Sequence, residues 1–258
     1  MKKFELTTEF ITNALGKKLF RIKALVEFGS VKAGELGGYA EKEENISQDG
    51  NAWVFGNAWV YGDAKVSDNA KVFGNAEVYG DAKVSDNAKV FGNAEVYGDA
   101  KVYGNAWVSD DACVYGDAKV FDDAWVYGDA KVSDNAEVFG NAWVSDDAWV
   151  YGDAWVYGDA CVYGDACVYG DAKVSDNAEV SGDADYALVK GFGTEFRCTT
   201  FYRDKNKKIM VNCGCFHGDL EAFRKQVKET RSGKIAKEYL MIADLMEYHF
   251  TSEDSSDE

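Results

Sequence analysis

The chain has 258 residues, 47% of them apolar, with 26 Gly and no Pro, enough to bury a core in one large domain or two modest ones and too apolar for a disordered chain. With 45 Asp+Glu against 28 Lys+Arg the formal charge is -17, which repels a nucleic-acid backbone and argues against direct DNA or RNA binding. No apolar run reaches transmembrane length, Met1–Lys3 leads into no signal-peptide core, and six Cys along a long chain with an ample apolar fraction read as free thiols, so a cytoplasmic protein without a membrane partner is expected.

In residues 1–50, Lys18-Leu19-Phe20-Arg21-Ile22-Lys23-Ala24-Leu25-Val26 alternates as a strand, with Gly16 marking the turn before it. From Asn51 to Gly182 the chain repeats every six residues without a slip, 22 hexads in all. The unit is Asn/Asp-Ala-x-Val-Tyr/Phe/Ser-Gly/Asp, as in Asn51-Ala52-Trp53-Val54-Phe55-Gly56. Ala and Val sit two apart, so both point to one side of a short strand and x to the other. On an α-helix a period of six would walk the apolar stripe around the axis. Gly and Asn/Asp at the hexad junction instead suit the left-handed backbone of a corner.

Six residues per side with a recurring corner predict three faces, 18 residues per turn, and parallel strands stacked with Ala and Val inside. Twenty-two hexads give about 7.3 turns, and at roughly 4.8 Å per strand the prism is about 35 Å long. Its interior is a column of small side chains with room for neither cofactor nor metal. Exposed solenoid ends need cover, so residues 1–50 are expected to form a β cap.

The repeat resembles the hexapeptide-repeat proteins, the superfamily of trimeric acyltransferases. Val31-Lys32-Ala33-Gly34-Glu35-Leu36-Gly37-Gly38-Tyr39 with Asn45-Ile46-Ser47-Gln48-Asp49-Gly50 is similar to the segment leading into the coil of YdcK-like members and of phage and prophage repeat proteins. The resemblance covers residues 18–185. It implies a left-handed parallel β-helix and a homotrimer, while the residues themselves leave the hand open. The Tyr, Phe or Ser after each inward Val departs from the Gly common in that family.

Reading the outward x positions 18 apart gives three columns: one with Trp107, Trp125 and Trp143, one with Trp149, and one with Trp155. These five indoles are read as an exposed tract and candidate interface, with the alternative that they only brace neighbouring strands. Stacked rings such as Phe55/Phe73/Phe91 and Tyr61/Tyr79/Tyr97/Tyr115 are expected to hold coils together. Acidic ladders run along two corners, Asp63, Asp81, Asp99 and Asp117 on one, Asp111, Asp129, Asp147 and Asp165 on the other. Segment 51–182 carries 23 acids against 8 Lys, net -15, roughly one charge per 2.3 Å against about 1.7 Å for duplex DNA. The readings are a solubilising skin of good corner residues, a DNA decoy, or a ladder relieved by cations or protons.

Past Gly182 the repeat decays, and Gly191-Phe192-Gly193 reads as a hinge-like joint. A ββαα module over 186–250 is expected: strands Thr194–Arg203 and Lys208–His217 around the turn 204–207, a helix capped by Asp219 to about Arg231, and a helix Lys234–Phe250 with Ile235, Tyr239, Ile242, Met246 and His249 on one face. Pairing Arg203 with Lys208 brings Cys198, Cys213, Cys215 and His217 to one face beside Phe196, Ile209 and Val211. Small buried Cys under the helices is the favoured reading, over a structural zinc site on those four residues. Residues 251–258 form an acidic tail.

Neither His lies in the repeat and no loop interrupts it, so the acyltransferase chemistry that the resemblance implies, which needs a base near neutrality, is disfavoured. The expectation is a non-catalytic, cofactor-free acidic rod of phage or prophage type that binds a host protein. A DNA-mimicking inhibitor is the alternative.

Overall fold

The computed structural model describes residues 2–194 and 197–251. Three strands open the chain: β1 (Phe4–Thr12), β2 (Lys18–Ala24) and β3 (Leu36–Ala40), in an antiparallel meander. β4 to β25 then follow, two residues each, from Trp53–Val54 to Glu179–Val180, one per hexad. Each pairs in parallel with the strand 18 residues away, so that Lys89 lies between Lys71 and Trp107. They sort into three sheets. Face I holds the eight strands that include Trp107, Trp125 and Trp143, face II extends β1–β2–β3 and includes Trp149, and face III holds the seven that include Trp155. The protein is a three-sided β-solenoid.

Every hexad Ala and Val from Ala52 to Val180 is fully buried, as the two-residue spacing dictates. The corner conformation belongs to the sixth residue of the hexad, whereas the first, Asn or Asp, builds side-chain ladders. Gly98 has φ 71° and Asp86 φ 57°. A Cβ at Gly98 would lie 3.0 Å from the Gly116 amide nitrogen of the next coil. Where Asp occupies this corner, its carboxylate accepts a bond from the coil beyond: Gly104 N donates to Asp86 Oδ2 at 3.0 Å, and Gly152 N to Asp134 Oδ2 at 3.2 Å. Asp therefore tolerates the left-handed region and satisfies a backbone donor.

The N-terminal strands close the first coil. Trp53, on an outward position of the repeat, is fully buried because Phe4 and Phe28 meet it edge-on at 5.9 and 5.3 Å. Beside it the ammonium of Lys3 lies 3.1 Å from the Ala52 carbonyl and 3.4 Å from those of Asp49 and Gly50. Burial pulls the Lys3 pKa down to about 8, against the partial support of the Asp49 charge.

At the other end four strands stand where two were expected: β26 (Tyr186–Phe192), β27 (Arg197–Arg203), β28 (Ile209–Cys213) and β29 (Phe216–Asp219), antiparallel in that order. α1 (Leu220–Thr230) starts at Asp219, whose carboxylate accepts from Ala222 N at 2.7 Å, and α2 (Gly233–Thr251) follows. One face of this sheet seals the last coil. Thr200 Oγ1 accepts from Lys173 N at 3.0 Å, Asn212 Nδ2 donates to Lys173 O at 2.8 Å, and Tyr202 Oη meets Ser175 Oγ at 2.9 Å. The other face, with Phe201 and Val211, packs against Phe223, Val227, Ile242 and Met246. Residues 191–193 are not a free hinge: Phe192 pairs with Arg197, and Tyr239 Oη donates to Phe192 O at 3.3 Å. On α2 the buried edge runs through Tyr239, Ile242, Ala243, Met246 and Phe250, while His249 is exposed. Phe196 and the tail 252–258 lie outside the described residues. Among the described residues no helix is long and apolar enough to cross a membrane.

Candidate interaction surface

The stacked strands place residues 18 apart directly over one another, so the skin of the solenoid is a set of side-chain columns. On face I, Trp107 stacks on Trp125 at 4.7 Å and Trp125 on Trp143 at 5.6 Å. Trp125 and Trp143 are 37% and 44% exposed, Trp149 38% and Trp155 37%. Trp107 is half-buried, with Lys89 4.2 Å over its ring and Phe91 edge-on at 5.9 Å. The five indoles do not share one plane. Trp149 is on face II, where its Nε1 donates to Ser133 Oγ at 3.2 Å, and Trp155 is on face III with Lys173 4.2 Å over its ring. The flat surface is the Trp107–Trp125–Trp143 column, and Trp143, Trp149 and Trp155 form a girdle around one coil.

Side chains after the inward Val also stack: Tyr61, Tyr79, Tyr97 and Tyr115 at 4.9 to 5.1 Å, Phe73 on Phe91 at 4.8 Å. Tyr61 and Tyr79 donate to Glu77 and Glu95 at 3.0 and 2.8 Å. Burial, then the neighbouring carboxylates, raise both phenol pKa values, which keeps these two rings uncharged.

The two acidic ladders differ. Asp63 is paired with Lys42 at 2.5 Å, and Asp81, Asp99 and Asp117 share a groove with Lys83, Lys101 and Lys119. Asp111 receives Asn93 Nδ2 at 2.9 Å and heads the column Asp129, Asp147, Asp165, whose adjacent outward residues are Cys113, Lys131, Trp149 and Cys167. Elsewhere Asn–Asn and Asn–Asp ladders link the corners without charge repulsion, as in Asn87 to Asn105 at 3.1 Å and Asn141 to Asp159 at 2.8 Å.

Coil by coil, charge and aromatic exposure are polarised together. Residues 51–104 carry 7 acids against 5 Lys, net -2, and residues 105–176 carry 15 acids against 3 Lys, net -12. The sequence columns already held this asymmetry. The corner acids Asp110, Asp122, Asp134, Asp146 and Asp176, all with positive φ, enlarge it and were missed because Gly and Asp alternate there.

The four Cys and His positions of the C-terminal module do not converge. Arg203 pairs with Ile209, one residue beyond the expected partner, and Thr199 with Cys213. A one-residue slip turns side chains to the opposite face. Cys213 therefore belongs to the helix-facing side, Thr199 Oγ1 donating to its Sγ at 3.1 Å, and Cys198 to the side of Thr200 and Asn212. Burial raises the Cys198 pKa to about 11, a neutral thiol rather than a metal-ready thiolate. Cys215 is exposed at the turn between β28 and β29, where Gly214 takes φ 63°. His217 Nε2 lies 2.6 Å from Asp176 Oδ2 and 3.2 Å from Tyr202 Oη, tying the sheet to the last coil. Among the described residues no three of His, Cys, Asp and Glu are grouped to hold a metal ion.

Comparison with protein-family models and with curated proteins finds no match for this chain.

Proposed function

We propose that the protein is a non-catalytic rod of the hexapeptide-repeat, phage-borne kind, and that residues 105–182 bind a host protein. The observation that carries this reading is the Trp125–Trp143 step, stacked and more than a third exposed, inside residues 105–176, where acids outnumber Lys 15 to 3. The fold does not require indole there: the same column and backbone carry Lys71 and Lys89 three coils earlier. An exposed aromatic step within a charged rim has the make-up of a protein-binding hot spot. Replacing Trp125 and Trp143 with Ser tests it. Loss of a partner captured from the host, with the melting temperature within a few degrees, is expected, and retained capture overturns the reading. Self-association into a trimer through the same column would show as a mass in solution that falls in this variant.

Charge density favours a second reading, mimicry of DNA toward a nucleic-acid-binding enzyme. Net -12 over four coils, about 19 Å at roughly 4.8 Å per coil, is about one charge per 1.6 Å, beside about 1.7 Å for the duplex. Binding by mimicry weakens steeply between low and moderate salt, whereas an indole-centred contact changes little.

A further inference from the structure

The solenoid repeatedly places a cation over an indole. Lys89 lies 4.2 Å over Trp107, Lys173 4.2 Å over Trp155, and Lys131 5.7 Å over Trp149, each from the adjacent strand of the same column. Trp143 departs from this arrangement. Its column neighbours are Trp125, which covers one ring face, and Cys161, whose side chain is too short to cover the other. One strand further stands Glu179. Trp143 and Glu179 are thus separated by two strand spacings, about 10 Å, with a small residue between them. A planar guanidinium laid on the ring, within the roughly 6 Å reach of a cation–π contact, still meets the carboxylate at the far side.

We propose that this notch, walled by Trp143 and Glu179 and floored by Cys161, receives an arginine side chain from a basic segment of a protein partner. The proposal rests on the reading of residues 105–182 as a protein-binding surface and adds the partner's chemistry to it. Charge complementarity selects the occupant: net -12 on residues 105–176 draws a basic chain and repels nucleic acid or a second copy of this acidic rod. Arginine fits better than lysine because it stacks flat on indole and offers a fork of donors to the carboxylate. Burial, then the Glu179 and Asp159 charges, hold the Cys161 thiol above its ordinary pKa, so the floor stays neutral.

The test uses the full chain and a fluorescent octa-arginine peptide at about 150 mM salt, with octa-lysine for comparison. Cys161→Lys supplies the missing cation from the rod itself and closes the notch. Lys already occupies this hexad position at Lys173 and seven other places, so the variant is compatible with the fold. Cys113→Lys makes the same charge change on face II, away from the notch. The parent is expected to prefer octa-arginine severalfold. Cys161→Lys should weaken octa-arginine about tenfold and Glu179→Gln about threefold, with Cys113→Lys changing it less than twofold. Equal weakening by Cys161→Lys and Cys113→Lys would reduce the effect to bulk charge and overturn the notch. If the host partner is lost with the paired Trp→Ser variant but held by Cys161→Lys, the surface stands and the notch falls. A partner held by the Trp→Ser pair overturns the surface itself.

Discussion

Residues 87–104 and 141–158 each make one full coil around the same core, and nothing in their interiors tells them apart: Ala88, Val90, Ala94 and Val96 are as fully buried as Ala142, Val144, Ala148 and Val150. Outside, the first coil shows Lys89, Glu95 and Lys101 with no net charge, and the second shows Trp143, Trp149 and Trp155 with net -3. The coil and its outer surface are therefore written in different letters of the same hexad. Ala, Val and the positive-φ corner fix the coil. The x position and the choice of Asn or Asp, Gly or Asp, set the charge and aromatic character of the surface.

The sharpest way to break this separation is to change the skin alone. Trp125→Ser with Trp143→Ser should cost partner binding about a hundredfold, as expected for two hot-spot residues, while Lys83→Ser with Lys101→Ser should change it less than about twofold. Equal losses from both pairs would mean that the two halves act alike. Changing the core alone should do the reverse. Val96→Ala and Val150→Ala should each cost about 2 kcal/mol in denaturant unfolding, within about 1 kcal/mol of each other, and a wide gap would show that the halves differ inside as well.

The caps give smaller effects. Lys3→Ala should cost about 1–3 kcal/mol by leaving buried carbonyls without their donor. Its titration also has a defined sign. Because burial lowers the folded pKa to about 8 from the ordinary 10.5, the unfolded chain binds more protons between those values, and stability of the cap rises as pH climbs through that window. Below pH 8 both states are protonated and this contribution is flat. Lys3→Met should abolish the slope in melting temperature. His217→Ala should be the mildest, about 1 kcal/mol from its contacts with Asp176 and Tyr202, with partner binding intact.

The coil was legible in the sequence because an unbroken period of six leaves no freedom of register: once Lys89 is stacked on Trp107, every other column follows. The burial of Trp53 was not legible because it is decided by Phe4 and Phe28, which come from outside the repeat and carry no periodic signal. The hairpin over 204–208 failed by one residue. Asp204 accepts both Asn206 N and Lys208 N at 2.8 Å, and Lys207 takes φ 62°, which lengthens the turn and reverses the faces of Cys198 and Cys213. β29 was hidden by its four-residue length. The Trp column was read correctly as a column, but its division from Trp149 and Trp155 emerges only when the three faces are assembled.

Seven tryptophans are distributed along the rod, Trp53 and Trp59 in the coils of low net charge and the other five in the strongly acidic ones, so their indole N–H signals in an NMR titration report both halves at once. On addition of octa-arginine, the signal of Trp143 should move most, its neighbours Trp125 and Trp149 less, and those of Trp53 and Trp59 not at all. Equal movement at Trp59 and Trp143, or binding with all seven signals unmoved, would contradict the assignment of recognition to the acidic, indole-bearing half.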